Sequence, residues 1–334
     1  MKPRLFSLAL AALCALAPAP SAAQDSSSGT TLRTESSTRE TARFLLTPIG
    51  ARTVGLAGAV TASRGDVEGV LWNPASAAGV ERATAYILAA NDFGTASQVL
   101  GFLGRWGALR AGLTYYHFGM GSIDARDEAN QDLGTISLDD DALILTGGYS
   151  LSAAVDLGVN YKLVRLSSAC SGGCEQYDGK SLGHAFDLGV VADITGARGL
   201  TIGAVLRNLG PGIKFAGGAT RDPMPSRLRV GASFDAIHAF LPEEQRFSVV
   251  LQADVQQTVT EFDDLEGYVG AEASLRGILY LRGGYAWTSA GRQGPALGIG
   301  LRYDRFRVDL GRAFNDFSGF DSDSPFQLSL AFGF

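Results

Sequence analysis

The sequence has little of several features that would define other protein classes. After the N-terminus it has no apolar run near the ~20 residues that a membrane-spanning helix needs. It has no basic excess, since 28 Lys and Arg stand against 34 Asp and Glu, which argues against nucleic-acid binding. It also lacks the low hydrophobicity of a disordered chain, because 46% of its residues are hydrophobic. What it has is glycine, 43 residues in 334, without a collagen period.

Catalytic and metal-binding motifs are also scarce. The chain has three histidines and no His-Glu-x-x-His pattern, and a hydrolase would need His117 or His184 beside a serine and an acid. The acidic clusters 139–141 and 321–323 offer oxygen ligands of the kind that Ca²⁺ prefers, but such clusters also occur as solvated loop charges. We therefore predict no enzymatic activity, no cofactor and no metal site.

The N-terminus predicts export. Residues 1–23 have the layout of a signal peptide, with Lys2 and Arg4 before an apolar stretch and small residues before Gln24. A membrane anchor is the weaker alternative, because Pro18 interrupts a short apolar run. Residues 24–43 are rich in Ser and Thr and predict a flexible polar N-terminus.

Two cysteines remain after the predicted cleavage, Cys170 and Cys174. An exported protein meets oxidising conditions, which favours a disulfide across this short loop. Free thiols or a metal site are the alternatives, although a metal site would need further ligands nearby.

Residues 81–334 alternate between apolar and polar or small side chains in segments of about ten residues. In residues 326–334, for example, Phe and Leu alternate with Gln, Ser, Ala and Gly, and a strand places such alternate side chains on opposite faces. A soluble sandwich also alternates, but paired charges and glycines on the polar face favour a crowded lumen. We predict an all-β fold, a transmembrane antiparallel β-barrel of about 14 strands. The strands are expected to begin near residues 84, 95, 108, 141, 154, 182, 200, 227, 246, 267, 278, 296, 305 and 326.

The connections between these strands alternate in length. Short turns are expected at one end of the barrel and longer loops, including 119–140, 167–181 and 209–226, at the other. Outer-membrane barrels place short turns in the periplasm and long loops outside, and an even strand count puts both termini of the chain on the periplasmic side.

Residues 44–80 predict a hatch, or plug, inside the barrel. Gly50, Gly55 and Gly58 permit close backbone packing. Asn73 is a good N-cap, and Pro74 suits the first position of a short helix over 74–78.

This stretch resembles the PorV/PorQ family within the FadL-like outer-membrane barrels. The resemblance lies in a glycine-rich series, an acid and an Asn-Pro-Ala sequence, and the C-terminal Phe334 is similar to the aromatic residue that barrel-assembly machinery reads. The matching positions are Gly50, Ala51, Arg52, Gly55, Gly58, Asp66, Trp72, Asn73 and Pro74.

The resemblance implies a protein of the outer membrane of a Gram-negative-type bacterium, in contact with outer-membrane lipid. FadL relatives move hydrophobic small molecules, which predicts a conduit for such a ligand. PorV/PorQ relatives serve type IX secretion, so the alternative is a barrel that binds type IX secretion components or secreted proteins through its external loops. The docking candidates for that alternative are Phe215, Phe240, Phe317 and Phe320.

Charged residues on the predicted inner face form a further candidate site. Placing each Arg toward lipid would cost ~2–4 kcal/mol near the membrane midplane. They form either a pairing network that anchors the hatch or a polar conduit surface. The principal positions are Arg227, Arg229, Asp254, Arg282, Arg302, Arg307 and Asp309, and the same phasing points Arg110, Asp156, Lys162, Asp187, Arg207, Asp235, Glu272 and Arg305 inward.

Overall fold

The protein is a closed antiparallel β-barrel. Its computed structural model describes residues 40–92, 95–127, 129–175, 178–214, 220–259, 265–288, 293–314 and 326–334. Within these residues each strand pairs with its sequence neighbours, and β1 pairs with β14 to close the ring. The strands are β1 Thr84–Asp92, β2 Thr95–Trp106, β3 Leu109–Arg126, β4 Asp132–Ser150, β5 Val155–Gly172, β6 Gly179–Asp193, β7 Leu200–Leu209, β8 Arg227–Asp235, β9 Phe247–Thr258, β10 Glu266–Leu275, β11 Leu279–Trp287, β12 Gly294–Tyr303, β13 Phe306–Ala313 and β14 Phe326–Gly333.

The fourteen-stranded barrel predicted from the alternation is confirmed, and thirteen of the predicted strand starts fall within three residues of the observed ones. The exception is β4, which was expected to begin near residue 141 and begins at Asp132. We call the end where β1 begins and β14 finishes the turn end, and the opposite end the loop end. The turn end carries the connections 107–108, 151–154, 194–199, 236–246, 276–278 and 304–305.

Two predicted loops are instead largely strand. The stretch 119–140 is mostly a continuation of β3 and β4, which pair as far as Arg126 and Asp132. Similarly, β5 and β6 extend through much of 167–181. These four strands have 15 to 19 residues, more than the ~9–11 that a membrane requires. Beyond the apolar zone a strand needs no apolar face, so the alternation that would reveal it is lost.

The outer wall of the barrel is apolar. Every strand exposes at least one large hydrophobic side chain, such as Leu100, Leu145 or Ile299. Aromatic side chains gather at the turn end, with Trp106, Tyr149, Tyr303, Phe306 and Phe334 exposed there, and at the loop end, with Phe314, Phe326 and Trp287. An apolar band between two aromatic girdles is typical of barrels in lipid.

Helices are few and short in the described part of the chain. They are α1 Ala51–Gly55, α2 Ala236–Phe240 and three 3₁₀ helices, Arg43–Leu46, Gly69–Leu71 and Pro74–Gly79. None of the helices among the described residues is long and apolar enough to cross a membrane.

Phe240 does not lie where the sequence predicts. Helix α2 follows β8, and the Asp235 side chain caps it by accepting a hydrogen bond from the His238 backbone. Phe240 is therefore exposed at the turn end, and the loop-end docking surface predicted for it is wrong. Phe215, Phe317 and Phe320 lie outside the described residues, as do the predicted signal peptide and the acidic cluster 321–323.

Candidate functional site inside the barrel

Residues 40–80, here called the inner segment, run through the barrel from the loop end to the turn end. At the loop end, the Arg227 guanidinium binds both carboxylate oxygens of Glu40 at 2.7 and 2.8 Å. At the turn end, Arg110 Nε donates to the Val80 carbonyl at 3.0 Å. The polypeptide then turns into β1 and begins the barrel wall.

The start of α1 is bound to the wall by β14. The backbone N–H of Gly50 donates to Gln327 Oε1 and that of Ala51 to Ser329 Oγ, both at 2.8 Å. These N–H groups begin a helix and have no partner within it. Sequence reasoning missed both wall residues, although their inward phase in β14 is readable from the alternation.

Glu68 caps the same helix from within the segment. Its Oε2 accepts hydrogen bonds from the backbone N–H groups of Arg52 at 3.0 Å and Thr53 at 3.3 Å. Burial raises the pKa of Glu68 to about 7, and the nearby carboxylates of Asp66 and Asp309 add to the rise. No sequence motif singles out Glu68.

Arg52 heads a chain of buried charges that joins the inner segment to three wall strands. Its Nη1 lies 2.7 Å from Asp66, and its Nε lies 3.0 Å from Glu272. The chain continues through the wall, where Arg282 lies 2.5 Å from Glu272 and 2.7 Å from Asp309, and Arg307 lies 2.6 Å from Asp309. Alternating charge allows these groups to be buried together.

Asp254 and Arg229 form a second attachment. Asp254 Oδ2 accepts from the backbone N–H groups of Val60 and Thr61, each at 3.0 Å, and from Arg229 Nε at 3.1 Å. Arg229 also donates to the carbonyl of Gly58, a residue with φ +89° that favours glycine. The carboxylate of Asp254 thus binds the inner segment and a neighbouring strand together.

Trp72 stacks against two arginines of the wall. The guanidinium of Arg207 lies 4.4 Å from the indole centre and that of Arg229 lies 5.5 Å from it. Arg229 also lies 4.1 Å from the Tyr268 ring. Such cation–π contacts stabilise buried guanidinium groups that have few carboxylate partners.

Asn73 and Pro74 begin the 3₁₀ helix Pro74–Gly79. Asn73 Oδ1 accepts from Ala75 N at 3.0 Å, and Nδ2 donates to the Thr61 carbonyl at 2.7 Å. Nδ2 also reaches the Val190 carbonyl of β6 at 3.3 Å. Asn73 therefore acts as the N-cap expected from the sequence and also contacts the wall.

The inner face of the wall carries a belt of glycines, which sequence reasoning did not single out. A Cβ atom at any of nine wall glycines would lie at most 3.0 Å from an atom of the inner segment. The belt lets the inner segment pack directly on strand backbone. Its members are Gly148, Gly158, Gly189, Gly203, Gly231, Gly270, Gly284, Gly298 and Gly311.

The residues predicted to carry inward charges differ in how deeply they are buried. Most are buried within the barrel, including Arg229, Asp254, Arg282 and Asp309, as are Arg110, Asp156, Lys162, Asp187, Arg207 and Glu272. Arg227 and Arg307 are partly buried, whereas Arg302 is exposed at the turn end. The inward direction predicted for two others is wrong, because they lie where the barrel wall ends. Arg305 lies in the turn between β12 and β13, and Asp235 caps α2.

Other candidate residues lie away from the lumen. Cys170 and Cys174 form a disulfide at the loop-end tip of β5. His117 Nδ1 lies 3.0 Å from Asp141, and Arg165 binds the other oxygen of that carboxylate. No group of side chains that could hold a metal ion occurs among the described residues.

Among the described residues, His117 and His184 form no arrangement of serine, histidine and acid. His184 Nδ1 bonds to Tyr161 Oη at 2.7 Å, and in the described part of the chain no hydrogen bond joins either strand histidine to a serine. Residues 179–183 read Gly-Lys-Ser-Leu-Gly, a nucleophile-elbow spacing, but they lie entirely within β6. An elbow needs a strand-to-helix turn.

The loop-end half of the lumen contains an apolar chamber that residues of the chain itself fill. Phe44 stacks against Tyr116 and Phe118, with ring centres 5.3 and 6.0 Å apart. Leu45 is also buried, and a cavity of about 20 Å³ remains beside it against Trp72. The chamber wall consists of Tyr116, Phe118, Ile144, Val164, Leu166, Ile213 and Met224.

This architecture is that of FadL-like outer-membrane barrels. The toluene transporter TodX of Pseudomonas putida aligns with a TM-score of 0.59 at 11% identity, over 84% of this chain and 95% of TodX. The monoaromatic hydrocarbon channel CymD aligns with a TM-score of 0.58 at 13% identity, over 86% and 97%. A Pseudomonas aeruginosa FadL homologue gives 0.56 at 12% identity, over 86% and 99%. At these identities the likeness shows the fold.

The sequence defines the family more closely. Residues 16–330 match the family described as "Uncharacterised protein family (UPF0164)", and the chain belongs to that family. No curated protein sequence matches the chain.

Proposed function

We propose that this protein is a non-enzymatic conduit for small hydrophobic molecules in the outer membrane of a Gram-negative-type bacterium. The apolar wall between aromatic girdles suits a lipid environment. The structural neighbours named as a toluene transporter and a monoaromatic hydrocarbon channel support a conduit of this type.

The observation that carries the proposal is the apolar chamber occupied by Phe44. A lumen built only for rigidity could be filled with paired charges throughout, yet the side chains around Phe44 are mainly aliphatic and aromatic, with Lys162 and Arg207 beside the adjoining cavity. Phe44 occupies the space that a hydrophobic ligand of similar size would take.

The two parts of the inner segment are held very differently. Burying Phe44 and Leu45 contributes about 3–6 kcal/mol in total. Their carbonyls also accept hydrogen bonds at 3.2 Å, that of Phe44 from Tyr116 Oη and that of Leu45 from Arg207 Nη2. Further along, the inner segment is bound to the wall by buried ion pairs such as Arg52–Glu272, and removing one partner from such a pair costs ~3–5 kcal/mol. A ligand bound with micromolar affinity supplies about 8 kcal/mol. Such a ligand can displace Phe44 and Leu45 while the Glu40–Arg227 pair and the rest of the segment stay in place.

The test uses Trp72 as the reporter, because it borders the cavity beside Leu45. The other two tryptophans, Trp106 and Trp287, face outward and are replaced by Phe. In this background, toluene and oleate are titrated into the liposome-reconstituted protein while Trp72 emission is recorded. We expect a saturable change. Phe44→Ala leaves a cavity that an apolar ligand fills, so this variant should bind toluene more tightly.

The matched control is Phe102→Ala, which removes an equal volume from the outer wall. It should leave the titration unchanged. Uptake of labelled oleate by cells expressing the protein provides the functional readout. The conduit proposal fails if neither probe alters Trp72 emission in the parent or in Phe44→Ala.

A second candidate follows from the four long strands. Ala96 of β2 pairs with Gly119, so residues 120–126 of β3 project past β2. On the other side, Phe186 of β6 pairs with Leu209, so residues 179–185 project past β7. These projecting ends of β3 to β6 offer a surface for a partner, which favours a PorV/PorQ-type barrel that binds proteins at the loop end. Co-purification from mild detergent tests it, with a variant shortened between residues 120 and 138 as the control that should lose the partner.

A further inference from the structure

A second cavity, separate from the apolar chamber, opens at the turn end of the barrel. Its volume is about 290 Å³, and it lies between the last residues of the inner segment and the turn joining β12 to β13. Arginine is the commonest charged residue around it, and the lining arginines are Arg64, Arg82, Arg302, Arg305 and Arg307. Two acids, Glu81 and Asp304, also line it.

The register of the wall brings two of these arginines together. Arg302 of β12 pairs directly with Arg307 of β13, so both side chains project from the same face of the sheet. Like charges directly opposite each other destabilise a sheet. A sheet that retains such a pair beside a cavity is suited to binding an anion there.

The positive charges are unequally compensated. Arg307 lies 2.6 Å from Asp309, and Arg64 lies 2.6 Å from both Asp156 and Asp193. By contrast, Arg82, Arg302 and Arg305 are exposed and make no ion pair with any other residue that the structure describes.

We propose that this turn-end cavity binds an oxyanion, a phosphate or carboxylate group, between Arg302, Arg305 and Arg82. The planar guanidinium fork matches both groups. The cavity volume lies at the small end of the range for ligand pockets, so the bound part is compact. The same anionic group occurs on soluble molecules and on lipid headgroups, and the experiment separates these sources.

The experiment is isothermal titration of the full-length protein in an uncharged detergent at low salt. Inorganic phosphate and succinate are the soluble probes. Dihexanoyl phosphatidic acid is the lipid probe, and dihexanoyl glycerol is its uncharged counterpart. Arg302→Gln and the double variant Arg302→Gln/Arg305→Gln are compared with Arg246→Gln, which removes an exposed arginine at the same end outside the cavity.

We expect phosphate or succinate to bind the parent protein and Arg246→Gln equally, and Arg302→Gln to bind about tenfold or more weakly, since one charge-assisted contact is lost. Binding should also weaken in high salt. Competition by phosphatidic acid but not by dihexanoyl glycerol assigns the site to a headgroup, and no competition assigns it to a soluble anion. The proposal is overturned if the parent binds none of the anions, or if the double variant, folded by circular dichroism, binds as the parent does.

Discussion

Gly55 of the inner segment and Gly298 of β12 meet backbone to backbone. A Cβ atom on Gly55 would lie 2.9 Å from the Gly298 Cα, and a Cβ atom on Gly298 would lie 3.0 Å from the Gly55 Cα. No side chain separates α1 from the wall at this point. The glycine belt repeats this close approach on nine strands. At these positions the lumen has room for the inner segment only because the wall residue has no side chain.

Gly298→Ala should therefore destabilise the barrel. The added methyl group has only backbone to displace, and overpacking typically costs ~1–3 kcal/mol. We expect the urea midpoint of the reconstituted protein to fall and proteolysis within residues 50–60 to become faster.

Gly283→Ala is the matched control for this substitution. Gly283 lies on the outward face of neighbouring β11, where the nearest atom to an added Cβ would be 3.7 Å away. Its stability should stay close to that of the parent. Equal effects of the two substitutions would contradict a specific fit between the inner segment and the wall.

Arg52→Met should cost ~3–5 kcal/mol, because it leaves Glu272 and Asp66 buried with fewer counter-charges. The measurement is the free energy of unfolding from urea titration. Arg165→Gln is the comparison, since Arg165 pairs with Asp141 from an exposed position, where such pairs contribute about 1 kcal/mol or less. A similar loss in both variants would show that the buried charge chain is not the main attachment of α1.

The strands could be predicted because lipid imposes a simple rule on them. Each strand must present apolar side chains outward, as Phe326, Leu328 and Leu330 do in β14, and polar or small ones inward. The rule applies only to the part of a strand that contacts lipid. The loop-end parts of β3 and β4 lie beyond that zone, and for this reason the sequence predicts a loop there. The rule also ends at the turn end, where Arg305 is exposed in a turn and half-buried Asp235 caps α2, so that local turn geometry sets their direction.

The inner contacts could be predicted only in part. The side chains of Arg229 and Asp254 were expected to point inward, because pointing outward would place their charges in lipid. Their contact with each other depends on strand register, which the alternation does not determine. The glycine belt could have been found by phase, since Gly148, Gly284 and Gly298 all occupy inward positions. Their significance depends on a partner at least 70 residues away in the sequence, which alternation within a strand does not reveal.

The disulfide between Cys170 and Cys174 lies at the tip of β5, beyond the point where β6 pairs with β7. Replacing both cysteines by serine should therefore leave the global urea midpoint nearly unchanged, because this end can open without the barrel. Hydrogen exchange followed by mass spectrometry should show faster exchange within residues 165–172. A clear fall in the global midpoint would instead show that the projecting strands unfold together with the barrel.

Glu68 should make stability depend on pH near neutrality. Burial raises its pKa in the folded barrel to about 7, from 4.5 for an ordinary glutamate, so the folded state holds a proton that the unfolded chain releases. The stability from this proton is complete below about pH 4.5 and is lost as the pH rises through about 7, a change on the order of 3 kcal/mol.

Glu68→Gln keeps an oxygen for the Arg52 and Thr53 N–H groups and cannot ionise. Its urea midpoint should fall less between pH 5 and 8 than that of the parent. Glu243→Gln, at an exposed position, should follow the parent profile. Parallel profiles for Glu68→Gln and the parent would show that Glu68 is ionised throughout this range and that Arg307 compensates its charge.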